Sequence, residues 1–272
     1  MTKLCFNATT LRNFDIKRAV RLIRESGYEG VELALNNTHL HPMRSTKEEI
    51  IAVKNTCEEI GLQIACVAAG GPDLMGSIPY EPSMINADLF SRMRRLDMIR
   101  RSVEMAQLLD CPIVNINSGM LTAAVTAQMA QNYLLDGISS LLPSLGGDTM
   151  FVLEPEPDFF VGTTTKAIEV INELNTPKLM LNLDIGHVFC CEEDCYDKVE
   201  RALLYTRHIH IEDIKGRIHR HEIPGEGDID FGRIMTAINN AEYPHFVSVE
   251  LHHHDRMWRR ALDESREYLF LL

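Results

Sequence analysis

"FNATTLRNF", residues 6–14, follows the first apolar β-like run of the chain and separates two candidate folds. Around it the sequence alternates: short β-branched or apolar runs give way to longer segments of helical periodicity. Strands are predicted near 3–8, 29–34, 63–69, 112–117, 149–154, 178–183, 206–211 and 245–250. Helices are predicted near 15–26, 46–60, 86–109, 121–142, 163–175, 193–204, 230–240 and 255–270. Such alternation suits a doubly wound open sheet or a closed barrel. A nucleotide-binding open sheet carries a glycine-rich turn after its first strand, where backbone meets pyrophosphate. Residues 6–14 contain no glycine. Eight strand–helix units in 272 residues fit a (β/α)8 TIM barrel, predicted here as a single domain over 1–272.

Several boundaries carry local signals. "STKEE" (45–49) reads as a capped helix start, its acids meeting the positive end of the helix dipole. "ESGYEG" (25–30) and "EIGLQ" (59–63) stop helices with glycine. "DCPIV" (110–114) and "NTPKL" (175–179) put proline just before a strand.

Composition narrows the function classes. With 45% apolar and 24% charged residues, the chain is an ordinary globular protein. Thirty-nine acidic against 27 basic residues give a net charge of −12, which disfavours nucleic acid and anionic lipid as partners. No stretch approaches the roughly 20 apolar residues of a membrane span, and the N-terminus lacks the apolar region of a signal peptide. Seven cysteines, scattered through runs such as "LQIACVAA" (62–69), suit reduced thiols in a cytoplasm. Cys190, Cys191 and Cys195 cluster, but no second cysteine pair completes a structural zinc site.

In a barrel, function gathers at the C-terminal ends of the strands. Strand five ends "VLEPEP" (152–157), with Glu154. Strand six ends "NLDIGH" (182–187), with Asp184 and then His187. Strand seven reads "RHIHIED" (207–213), with His210, and strand eight ends in Glu250. Alone, each has a bland reading. A strand-end glutamate is commonly a helix cap or a solvated charge, a lone histidine a hydrogen-bonded core residue, a lone D-x-x-H structural. Four consecutive strands each delivering one ligand to one rim is much harder to assign to chance. Three carboxylates and one imidazole suit Mn²⁺, Mg²⁺ or Co²⁺, with Zn²⁺ less favoured.

The order Glu154, D-x-x-H (184–187), H-x-H (208–210), a G-x-G turn (225–227) and Glu250 resembles the xylose-isomerase-like sugar isomerase/epimerase superfamily. Within it the chain is most similar to the ketose 3-epimerases. "GYEGVEL" (27–33), "HEIPGEGDIDF" (221–231) and "SVEL" (248–251) match that family's second strand, post-strand-seven loop and last strand. The resemblance covers most of the chain and discriminates poorly between substrates. It implies a TIM barrel whose divalent ion, foremost Mn²⁺, is held by Glu154, Asp184, His210 and Glu250. It implies that Glu154 and Glu250 are the catalytic acid/base pair, moving a proton through a metal-stabilised cis-enediolate. His187 matches the residue that touches a substrate oxygen. Arg217 matches the substrate-binding arginine if the loop carries a small insertion, with Lys215 competing for the part. Relatives form dimers or tetramers through barrel helices.

Other residues stay open at this point. Glu156 is a candidate substrate contact or the shaper of a proline-flanked loop. Glu32 is a candidate partner for a metal ligand or a barrel-mouth ion pair. Asn115 and Asn117 suit sugar hydroxyls or turns. "HRH" (219–221) and "HHH" (252–254) could line a pocket. The same enolate also serves a lyase or dehydratase acting on a keto-sugar, 3-keto-glycoside or inosose, with the loop 70–90 shaping the choice. An apurinic-endonuclease-like phosphodiesterase needs further histidines at the third and fourth strand ends, which read "CVAAGG" (66–71) and "NINSG" (115–119).

Overall fold

Strand periodicity decides what faces the barrel interior. In "RHIHI" (207–211) successive side chains alternate between faces. Ile209 and Ile211 join the apolar layer beneath the helices, whereas His208 and His210 reach inward to Glu32. The same rule puts Asn182 and Asp184, and Ser248 and Glu250, on the inner face of their strands.

The computed structural model describes residues 2–272. Its barrel strands are β1 (Lys3–Asn7), β2 (Gly30–Ala34), β3 (Gln63–Ala68), β4 (Ile113–Ile116), β5 (Met150–Leu153), β6 (Leu179–Asp184), β7 (Thr206–Ile211) and β10 (Phe246–Val249). They close in the order β1-β10-β7-β6-β5-β4-β3-β2, with every pair parallel. The predicted (β/α)8 barrel is the observed fold.

Around it run α1 (Ile16–Glu25), α2 (Lys47–Glu59), α3 (Leu89–Leu108), α4 (Ala127–Leu141), α5 (Thr164–Leu174), α6 (Ile185–Cys191), α7 (Cys195–Ala202), α8 (Phe231–Asn240) and α9 (Trp258–Phe270). Their apolar faces and the outward strand residues, such as Phe6, Val31, Phe151 and Val247, form one continuous core. Each such side chain contributes about 1.5–3 kcal/mol on burial. A separate small cluster, Cys66, Ile113 and Val152, lies apart from that layer.

Local chemistry sets the boundaries. Thr46 and Glu49 form a reciprocal capping box at the start of α2, as "STKEE" predicts. Gly27 and Gly61 take φ of +89° and +65°, where the chain turns out of α1 and α2. Helices α3 and α4 are among those that start later than predicted. Asp88 caps α3 through Ser91 N–H, and Thr126 caps α4 through Met129 N–H, leaving 121–126 as loop.

Two elements were not foreseen. Helix α6 leaves β6 with no loop between them, because Asp184 ends the strand and caps the helix at once. The hairpin of β8 (Asp213–Lys215) and β9 (Ile218–Glu222) pairs Lys215 with Ile218. Gly216 and Arg217, at φ of +60° and +58°, form its two-residue turn. Among the described residues, no helix is long and apolar enough to cross a membrane. All seven cysteines are free thiols, including Cys190, Cys191 and Cys195.

Candidate active site

Register brings the site together. Asp184 on β6 stands beside His210 on β7, and His210 stands beside Ser248 on β10. Glu154 and Glu250 follow directly after β5 and β10. At the centre is His210 Nδ1, 2.9 Å from Glu154 Oε1, 3.4 Å from Glu250 Oε2 and 3.7 Å from Asp184 Oδ2. All four side chains are buried, and their donor atoms lie within 4.8 Å of one another.

Each carboxylate uses its other oxygen elsewhere. Asn115 Nδ2 donates to Glu154 Oε2 at 2.6 Å, and Asn7 Nδ2 donates to Glu250 Oε1 at 2.8 Å. The His187 backbone N–H donates to Asp184 Oδ1 at 2.8 Å. One oxygen of each acid is thereby fixed and the other left for the shared centre. Asp184 Oδ2 is buried with no hydrogen-bond partner at all. A buried anionic oxygen without a partner is costly. This donor set fits a divalent cation, whose charge would compensate three crowded acids.

The opposite ring nitrogen is anchored too. His210 Nε2 lies 2.8 Å and 3.0 Å from the two oxygens of Glu32. Glu32 also takes His208 Nε2 at 2.9 Å and the Ser248 hydroxyl at 2.8 Å. A carboxylate behind a ligating histidine fixes its tautomer and ring plane. Burial alone would raise the Glu32 carboxyl, but His210 and His208 hold it well below the ordinary range.

Burial works against charge on His210, yet Glu32, Glu250 and Glu154 raise it well above its usual value. A cation held at Nδ1 would therefore have to displace a proton. Metal affinity is expected to climb with pH between about 6 and 8, with proton release on binding. Calorimetric titration at three pH values in buffers of different ionisation enthalpy measures this; affinity flat with pH contradicts it.

Glu156 and His187 sit alongside, with donor atoms within 4.8 Å of Glu154 and of each other. Burial, then the neighbouring Glu154 and Glu250, push the Glu156 carboxyl up to about 8 despite His187. His187 is raised to about 9, because Asp184 and Glu156 outweigh the effect of burial. Glu212, next to Asp184, is buried with neither oxygen partnered, and burial followed by Asp184 raises it strongly. Its Oε1 would lie 1.9 Å from a Cβ at position 186, so the D-I-G-H turn requires glycine there.

Arg217 is not brought to this cluster. Its place in the hairpin turn directs the guanidinium to the Glu192 carbonyl at 2.7 Å, on an exposed surface. The loop insertion allowed for in the sequence forms a hairpin, which carries the arginine away. Lys215 is exposed as well. Asn117 donates to Gly70 O at 3.1 Å. His252 Nε2 lies 3.7 Å from Glu250 Oε2. Asn7, His208 and Ser248 were missed, although Ser248 and His208 each stand two residues before a candidate ligand on the same strand face.

The family profile of the xylose isomerase-like TIM barrels matches residues 20–270. The chain belongs to this family. Among relatives of this xylose isomerase-like chain, a putative hydroxypyruvate isomerase of Danio rerio is 23% identical over 268 residues, covering 91% of this chain and 89% of that protein. A 3-dehydroshikimate dehydratase of Bacillus anthracis is 19% identical over 257 residues, covering 87% and 85%. A solved D-psicose 3-epimerase superposes with a TM-score of 0.81 at 13% identity, covering 99% of this chain and 97% of that one.

Proposed function

We propose that this chain is a divalent-metal-dependent isomerase or epimerase of a ketose or related sugar. The observation that carries the reading is the convergence of Glu154, Asp184, His210 and Glu250, each acid turning one free oxygen to a common centre. These four residues would hold the ion. Three carboxylates and one imidazole favour Mn²⁺, with Mg²⁺ and Co²⁺ next. When bound, the cation polarises the carbonyl oxygen and so acidifies the neighbouring C–H bond.

Glu154 and Glu250 flank His210 from strands on either side of it in the barrel. One takes a proton from carbon and the other returns one to the opposite face. Asn115 and Asn7 keep each glutamate pointed inward. His187 and Glu156 contact substrate oxygens, and Glu156, protonated near neutrality, donates rather than accepts. Arg217 would reach substrate only if the hairpin moved. Seven free thiols suit a reducing cytoplasm, and the substrate is a small carbohydrate. A homo-oligomer is in keeping with the ketose 3-epimerase resemblance.

Incubation with Mn²⁺ and a ketose panel in D₂O tests the reaction. Deuterium is expected at the carbon beside the carbonyl. No exchange across ketoses, keto-glycosides and inososes would overturn the reading. The dehydratase relative supports a second outcome from the same proton abstraction, loss of a β-substituent; the same assay reads it as a dehydrated product.

A further inference from the structure

At the end of the barrel where the strands begin, opposite the acidic centre, lies a cavity of about 610 Å³. Small-molecule pockets span roughly 300–1,000 Å³. Three cationic side chains line it. Lys3 starts β1, Arg207 is the second residue of β7, and His245 directly precedes β10. The turn after α2, at Gly61 and Leu62, and Pro112 before β4 form its other side.

These cations are not balanced by acids. The titratable groups that face the half-buried Arg207 guanidinium are Tyr243, Cys111 and Cys66. Burial raises all three, so none carries charge near neutrality. Glu58 and Asp110 also line the cavity, but Lys54 engages both, reaching Glu58 Oε1 at 3.7 Å. The effect shows on His245. Burial, then Arg207, His208 and Lys3, hold its imidazole down to about 4. In a chain of net charge −12, such an uncompensated group of cations is a site in want of an anion. A second observation comes from inside the barrel. His208 is fully buried and lines the same cavity. Its Nε2 faces Glu32 Oε2 at 2.9 Å, while its Nδ1 is buried with no partner. A buried nitrogen left unpartnered is costly.

We propose that this cavity binds a phosphate group, held by Arg207, Lys3 and His208. The guanidinium offers a planar fork of donors that matches two phosphate oxygens, and the Lys3 ammonium adds a point charge. Hydrogen phosphate carries both a hydroxyl and free oxygens. It therefore satisfies His208 Nδ1 whether that atom presents a lone pair or an N–H. Sulfate has no hydrogen to give at neutral pH. The free ion and a phosphate monoester share the recognised group. The cavity lies at the far end of the strands from the proposed proton chemistry and does not depend on it.

Calorimetric titration of the whole chain with orthophosphate, at pH 7 and constant ionic strength, tests the site. One phosphate per chain is expected. Affinity should fall about tenfold or more in Arg207→Gln and in Lys3→Ala, each of which removes a charge-assisted contact. Arg207→Lys keeps the charge but loses the fork, and should retain part of the affinity. Lys47→Ala removes an equal charge at the other end of α2 and should change affinity by less than about twofold. Lys3 is exposed, so unchanged melting of its variant shows that the fold is kept. Glycerol 3-phosphate binding as orthophosphate does assigns the site to the phosphoryl group of a larger ligand; binding of orthophosphate alone assigns it to the free ion. No heat up to roughly 10 mM phosphate, sulfate bound as tightly as phosphate, or equal phosphate affinity in wild type, Arg207→Gln and Lys3→Ala overturns the proposal. Any of these with D₂O exchange intact removes this site alone, and phosphate binding without exchange removes the reaction alone.

Discussion

Replacing Glu250 by glutamine is expected to cut solvent deuterium exchange by about 10²–10⁴-fold, the usual worth of a positioned acid or base. The substitution is nearly isosteric. Its amide oxygen can still accept from Asn7, which now donates to Glu250 Oε1 at 2.8 Å, so the fold survives. The NH₂ group then stands where Oε2 faces His210 Nδ1 at 3.4 Å, and it can neither ligate a cation nor take a proton. Substrate affinity, measured by calorimetry, should remain detectable through His187 and Glu156. Undiminished exchange would remove Glu250 from the proton path.

Glu32→Ala should be the most destabilising change at the site. The side chain is fully buried and accepts from His208, His210 and Ser248. Removing it leaves buried donors without partners, at a cost of about 3–5 kcal/mol. The His210 ring also loses its anchor, which should weaken metal binding about 10–100-fold. Because the folded Glu32 titrates below its ordinary value, its stabilisation is complete above about pH 4.3 and fades as pH falls through the folded value. Urea unfolding of wild type and variant reads the first effect; a difference within about 0.5 kcal/mol would contradict it.

Much of this was legible in residue order. Period-two alternation in "RHIHI" places both histidines inside the barrel, and the strand-end positions of Glu154, Asp184 and Glu250 follow from the eight-unit budget. What sequence could not show were relations between distant strands. Glu32 and His208 are 176 positions apart, and nothing local marks them as partners. Helix α6 was hidden because Asp184 serves as strand end and helix cap together, leaving no loop to read. The hairpin was hidden because Arg217 adopts positive φ in a turn where asparagine or glycine is the usual signal. That turn both displaced the expected arginine and delivered His219 and His221 to the mouth.

The central claim is that Glu154, Asp184, His210 and Glu250 share one ion. Crystals grown with Mn²⁺ and measured at its absorption edge test it most directly. An anomalous peak is expected about 2.0–2.3 Å from Glu154 Oε1, Asp184 Oδ2, His210 Nδ1 and Glu250 Oε2. A fully loaded crystal whose manganese lies outside these four side chains would contradict the account.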